Sequence, residues 1–316
     1  MFKPQQRAAE HQKDVHAAVP TEPSPSIATS ETSAEKKKKS GPWREVWKRL
    51  KKNHLAMIGM FVILAIIVTA IIAPWIIPYD YAKQDSHAVL QFPSAGHWFG
   101  TDNFGRDIFS RVLYGGRYTL AIGFGCMTAT MLISLVIGCA AALIGKLDNI
   151  LMRIIDIIMS IPTFMLGISI VAALGPGLRN LMLAMTIASI PPFTRVVRAA
   201  VLTIRDQEYI EAALSIGASK RRLLIKHILP NSLAPIIIQF TSGAVTVIIN
   251  AAALSFLGMG IQAPEPEWGT MISAGRSYLR DYWYMSILPG LAIVLTTFAL
   301  NIFGDGLRDA LDPRLK

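Results

Sequence analysis

The chain has 316 residues, with 31 Lys and Arg against 21 Asp and Glu and a formal charge of +10. Hydrophobic residues make up 52% and charged residues only 16%, and the mean hydropathy is +0.43. Soluble domains carry about 25% charged residues, so an ordinary soluble enzyme and a chain disordered throughout are both excluded, and several stretches of membrane-spanning length have to be accommodated.

Residues 1–40 are polar, end in Ala34-Glu35-Lys36-Lys37-Lys38-Lys39-Ser40 and show no secretory-signal pattern. Such a composition predicts a disordered N-terminal tail. In residues 41–54, Trp43, Val46, Trp47 and Leu50 fall at helical spacing among Arg44, Lys48, Arg49, Lys51 and Lys52. This is the pattern of an amphipathic interfacial helix on an anionic membrane surface. A nucleic-acid patch would share the charge but not the apolar run that follows, and no nucleic-acid partner is expected.

Residues 55–77 form a charge-free run of 23, long enough to cross a bilayer at about 1.5 Å per residue. Five further spans are predicted: 120–144, 157–175 interrupted by Pro162, 181 to about 202, 233 to about 256, and 285 to about 303. The fourth contains Pro191, Pro192, Arg195 and Arg198, so its last turns should emerge into water. Lys and Arg number 12 before the first span and 7 between Arg195 and Lys226. With six spans, the positive-inside tendency places both termini and the 195–226 loop in the cytoplasm.

No HExxH, Walker lysine loop, GxSxG or paired-cysteine set occurs, and Gly115-Gly116 and Gly304-Asp305-Gly306 lack the strand-turn-helix context of a phosphate cradle. Catalytic, cofactor and metal residues are therefore expected to be none. Cys126 and Cys139 lie in an apolar run and read as small helix fillers. His87 and His97 share an outer loop, which leaves a metal site conceivable there, but ordinary loop roles account for both. Arg153 and Asp156 read as a pair at the membrane edge.

The inner loop is the most informative segment. Asp206 and Glu208 stand near the start of a predicted short helix, Ala212 and Ala213 permit close approach, and Gly217 can end it. A second helical run, 220–229, should stop before Pro230. Two short helices here make either a docking element or a loop that merely joins two spans.

Glu211-Ala212-Ala213, then Gly217, then His227-Ile228-Leu229-Pro230 resembles the cytoplasmic loop of membrane subunits of ATP-binding-cassette importers that use a substrate-binding protein. The His227 to Asn231 form is similar to the peptide and nickel branch. Phe99-Gly100-Thr101-Asp102, Gly105-Arg106-Asp107, Ser110-Arg111, Tyr114-Gly115 and Arg117 resemble the outer segment of the second permease in dipeptide and oligopeptide importers. Phe256-Leu257-Gly258-Met259-Gly260, Pro264, Pro266-Glu267-Trp268-Gly269 and Gly304-Asp305-Gly306-Leu307-Arg308-Asp309 agree with it, and the resemblance covers roughly residues 41–316.

The resemblance implies an all-α, six-transmembrane-helix permease of the type I importer fold: a permease domain over 55–316, a coupling loop at about 205–230 and a C-terminal cytoplasmic tail at 305–316. It implies a non-catalytic subunit in a bacterial inner or plasma membrane that forms half of a pathway for dipeptides or short oligopeptides. Nickel or a nickel chelate is the alternative cargo, and an autonomous channel or carrier the alternative class. The implied partners are a homologous second permease, one or two cytoplasmic ATPase subunits that use ATP and Mg, an extracytoplasmic substrate-binding protein, the peptide and membrane lipid. Glu211, Ala212, Ala213, Gly217, His227, Leu229 and Pro230 would couple to the ATPase. Asp102, Arg106, Asp107, Arg111 and Arg117 would either dock the binding protein or brace the outer loop through ion pairs, with Arg117 also placed to snorkel to the interface.

Overall fold

A computed structural model describes residues 42–312, and the expected tail over 1–40 lies outside the described residues. Eleven α-helices occur among them: α1 Pro42–Leu50, α2 His54–Ile76, α3 Ile108–Leu143, α4 Gly145–Met159, α5 Thr163–Leu174, α6 Leu178–Arg205, α7 Glu208–Ser215, α8 Lys220–Leu223, α9 Leu229–Phe256, α10 Trp268–Gly275 and α11 Tyr284–Leu311. The only β pairing among the described residues is an isolated bridge between Thr101 and Asp107. The chain is an all-α, multi-span membrane protein: five helices have the length and apolarity to cross a bilayer, or six if one bent pair counts as a span.

That bent pair corrects the third predicted span. α4 and α5 meet at 82° around Ser160–Pro162, so residues 157–175 do not form one straight helix. Pro162 cannot donate a backbone hydrogen bond and disfavours helical geometry in the residue before it. α5 alone has 12 residues, about 18 Å, short of the roughly 30 Å hydrocarbon core.

Several helices also run beyond the predicted segments. The second predicted span, from Leu120, lies within a longer helix that begins at Ile108, where the Asp107 carboxylate accepts from Ser110 N at 2.8 Å and caps α3. The run from Lys220 does not stop before Pro230; α8, a π-turn over Leu224–Ile228 and α9 form one helix, Lys220–Phe256. The wider turn makes room for a proline with no N–H, while Asn231 Nδ2 and Ser232 Oγ donate to the carbonyls of His227 and Ile228 at 2.6 and 2.8 Å. Residues 305–311 are the last turns of α11.

α3, α6 and α9 form the centre. Ile122, Cys126, Met127, Met185, Phe193 and Leu254 are among its fully buried side chains. α2 and α11 pack beside it through Ile63, Val245, Ile248 and Leu300. A Cβ on Gly59 would lie 2.8 Å from the Ala299 carbonyl oxygen, so the α2–α11 contact depends on a missing side chain, as membrane helix contacts often do. The apolar side of α1, Val46 and Leu50, is applied to Ala56 and Ala310 instead of facing away from the bundle.

Candidate functional site

Two constructed regions lie at opposite ends of α3, about 54 Å apart for 36 residues. At the end that carries the 195–226 loop, α6 continues to Arg205 without ending at Pro191 or Pro192. Its cations are fastened to neighbours: Arg198 clamps Asp148 through two 2.5 Å bonds, Arg205 Nη1 donates to the Ala142 carbonyl at 2.5 Å, and Arg195 pairs with Asp156. Asp156 therefore reaches across to α6 and not to Arg153. Both α4 acids are used to hold α6, a long-range pairing that the sequence signals only by the presence of two aspartates in a largely apolar stretch.

α7 follows the end of α6. Ile210 is 1% exposed and joins the central cluster with Val201, Leu223 and Ile228. Tyr209, Leu214 and Ile216 face outward, Ile216 at 87% exposure, and Glu211 and Ala212 are exposed with them. Ala213 is half-buried against the core, so the two adjacent alanines have different surroundings.

The helix closes in a Schellman arrangement: Ala218 N donates to Ala213 O at 3.0 Å, Gly217 N donates to Leu214 O at 2.9 Å, and Gly217 has φ +87°. A left-handed residue at this corner favours glycine because a Cβ would meet the following carbonyl. Ser219 then caps α8, so α7 is wired to α9 through a rigid corner. His227 and Pro230 are exposed on that helix and Leu229 is half-buried.

At the opposite end, before α3, Asp102 organises a nearly dry cluster. Its Oδ1 accepts from the N–H groups of Phe104 and Arg106 at 2.8 and 3.0 Å; its Oδ2 accepts from Arg106 Nε at 2.7 Å and lies 3.8 Å from Arg111 Nε. Arg111 Nη1 donates to the carbonyls of Tyr81 and Pro264 at 2.7 and 3.1 Å, tying the 77–107 segment to the segment before α10. Asp107 Oδ1 lies 2.9 Å from His97 Nδ1.

Asp102, Arg106, Asp107 and Arg111 are all buried, so their contacts brace the 77–107 segment against its neighbours. Arg117 differs: it is exposed and lies over the Tyr114 ring at 5.0 Å. His97 is committed to Asp107, and no group of three or more potential metal ligands occurs among the described residues.

The motifs around α10 complete this end. Glu267 is buried and accepts from Gly269 N and Thr270 N at 2.9 Å each, capping α10; burial pushes its carboxyl above the usual range while the cap bonds oppose the shift. Trp268 Nε1 donates to the Val112 carbonyl at 2.8 Å. A Cβ on Gly115 would sit 1.9 Å from Pro266 O, so Gly115-Gly116 provides a seat for α10.

A polar stripe on α9 escaped the sequence reading. Gln239, Ser242, Thr246 and Asn250 recur at helical spacing, with Ser242 and Thr246 exposed. Gln239 and Ser242 open into a cleft of about 510 Å³ shared with Asn301, Asp305 and Arg308 of α11. Polar residues every third or fourth position on a membrane-length helix were the available signal.

Residues 121–316 match the family described as binding-protein-dependent transport system inner membrane component, and residues 41–93 match the N-terminal TM domain of oligopeptide transport permease C. The chain is 44% identical to the dipeptide transport system permease protein DppC of Alkalihalophilus pseudofirmus, over 97% of this chain and 99% of that one. It is also 44% identical to the glutathione transport system permease protein GsiD of Shigella flexneri, over 87% and 91%. Among solved structures it is similar in fold to the MetNI methionine ABC transporter, with TM-score 0.54 and 22% identity over 65% of this chain and 98% of that one. An amino acid ABC transporter gives TM-score 0.52 and 17% identity over 64% and 94%.

Proposed function

Because the chain belongs to the family of binding-protein-dependent transport system inner membrane components, we propose that it is the second permease subunit of an ATP-driven importer of dipeptides or short oligopeptides. Its family role is that of a membrane subunit without catalysis of its own. In this reading a homologous permease packs against it, a substrate-binding protein delivers peptide from outside, and one or two cytoplasmic ATPase subunits use ATP and Mg. Both termini and the coupling loop at about 205–230 are on the cytoplasmic side, with Lys220–Leu229 entering the membrane face as the start of the Lys220–Phe256 helix; residues 41–54 lie at that membrane surface, and residues 55–316 form the permease domain.

The observation that carries the reading is the construction of α7. The eight-residue α7 holds one fully buried apolar side chain, and Tyr209, Leu214 and the C-cap residue Ile216 are exposed at the end of a core helix. Exposed apolar side chains on a basic inner loop have no lipid to meet if the loop is in water, so a protein partner is their natural cover. Burial of Ile210 and the Gly217 corner give α7 the stiffness to transmit a push from an ATPase cleft into α6 and α9. Glu211, Ala212, Ala213 and Gly217 belong to this contact, with His227, Leu229 and Pro230 on the receiving helix.

Peptide cargo is supported by the two relatives named for a dipeptide and for glutathione, both compounds with amides and charged ends. The Gln239–Asn250 stripe on α9 is the surface we assign to the shared passage, where polar groups would replace water around such a solute. The test is reconstitution of the chain with its second permease, ATPase and binding protein in vesicles, following uptake of a labelled dipeptide. Accumulation that requires ATP on the ATPase side is expected. Dipeptide flux through the purified chain without ATPase subunits would replace this reading with an autonomous channel.

A further inference from the structure

We propose that the groove between the inner end of α3 and the Lys220–Phe256 helix is a binding site for a single anionic phospholipid. The groove holds about 710 Å³, its walls include Leu135, Val136, Cys139, Leu143, Leu224 and Leu229, and Lys146, Lys220 and Arg221 stand on its rim. No acidic residue lines it. None of the three cations takes part in an ion pair formed among the described residues, in contrast to Arg195, Arg198 and Arg205 close by, each of which has its aspartate.

The arrangement along the two helices matches the dimensions of one lipid leaflet. α3 ends at Leu143 and Lys146 follows, whereas Lys220 and Arg221 open the opposing helix. Both walls therefore put cations at the same end and aliphatic side chains inward. From Ile144 back to Leu135, or from Lys220 on to Leu229, the walls run for about 13 Å at 1.5 Å per residue, close to half of the roughly 30 Å hydrocarbon thickness.

A groove lined with aliphatic groups for one leaflet's depth and ringed by unpaired cations is complementary to acyl chains below a negative headgroup. A neutral lipid would leave the three cations uncompensated. A protein partner would have to present an acid cluster above an apolar wedge of leaflet length. The inference uses the chain's residence in a membrane and does not depend on α7 or on the cargo.

Cys139 on the groove wall is a built-in reporter, and Cys126 is buried within the core. The purified assembly containing the full chain, with Cys126→Ser to leave one thiol in this subunit, would be placed in vesicles of phosphatidylcholine alone or of equal parts phosphatidylcholine and phosphatidylglycerol with the same acyl chains. Maleimide labelling of Cys139 should be several-fold slower where phosphatidylglycerol is present. Native mass spectrometry of the released assembly should show phosphatidylglycerol retained over phosphatidylcholine by on the order of tenfold or more, since each basic group near an anionic lipid is worth roughly fivefold.

Replacing Lys146, Lys220 and Arg221 by Gln should abolish both differences. Cys139→Trp, which fills the groove and keeps every charge, should abolish the retention. Replacing Lys48, Lys51 and Lys52 by Gln, an equal loss of charge elsewhere, should leave both intact. Equal retention of the two lipids, equal loss in the Lys48 series, or Cys139 shielded to the same degree in both vesicles would overturn the proposal, the last in favour of a protein cover.

Discussion

The same truncation, Ile to Ala, made on opposite sides of α7 separates a coupling helix from a loop that merely joins two spans. Ile210 is 1% exposed in the central cluster and Ile216 is 87% exposed. Removing buried methyl and methylene groups costs about 2–5 kcal/mol when the surroundings relax only partly. Ile210→Ala should therefore release α7 from Val201, Leu223 and Ile228, with faster amide exchange over 208–217. Ile216→Ala removes almost nothing from the folded chain, about 0–0.5 kcal/mol.

If Ile216 is buried in an ATPase cleft, its truncation forfeits about 1–3 kcal/mol of that contact, roughly a 5- to 150-fold weaker association. The assay measures ATPase co-purified with each variant, peptide-stimulated ATP hydrolysis in vesicles, and amide exchange on α7. Ile216→Ala should keep wild-type exchange while losing ATPase and stimulation; Ile210→Ala should alter all three. Wild-type ATPase retention and transport by Ile216→Ala would exclude a docking role for this end of α7, because its most exposed apolar side chain would then contact nothing.

Gly217→Pro removes the N–H bonded to Leu214 and forbids φ +87°; membrane insertion should persist while ATP hydrolysis is uncoupled from uptake, and normal stimulated transport at normal expression would sink the coupling assignment. Asp102→Leu strands two buried guanidinium groups and two backbone donors, a loss of about 3–5 kcal/mol for breaking a buried pair, so limited proteolysis should open within 77–107. Asp148→Arg or Arg198→Asp alone should lower the thermal midpoint of the purified chain, and the double exchange should recover most of the loss if the bidentate clamp is what holds α4 on α6. No recovery would mean that the fixed geometry at each site matters more than the charge pair.

Several features of this protein were legible from one-dimensional pattern. Charge-free runs of bilayer length reveal a membrane chain whatever its tertiary contacts, because backbone polar groups in lipid must be satisfied within each helix. The Gly217 corner was readable because only local geometry demands it, and Asp102, Arg106 and Arg111 stood out as charges close to an apolar span. Bracing was one of the two roles their sequence left open; the choice between them was not readable, since Tyr81 and Pro264, the acceptors for Arg111, are 30 and 153 residues away.

Tertiary structure alone decided how α4 and α5 divide at 82°, since proline marks a break without fixing its angle. It also decided that Pro230 continues a helix: the Asn231 and Ser232 bonds reach back only four residues, but Ser232 is buried against α6, where its Oγ also donates to the Ala200 carbonyl at 3.3 Å. The partners of Asp148 and Asp156 and the meeting of Lys146 with Lys220 and Arg221 belong to the same class: charges far apart in the chain are brought together by the packing of α3, α6 and α9. Sequence determined which segments enter the membrane, by local transfer free energy; packing determined which charges meet, by contacts that no local pattern encodes.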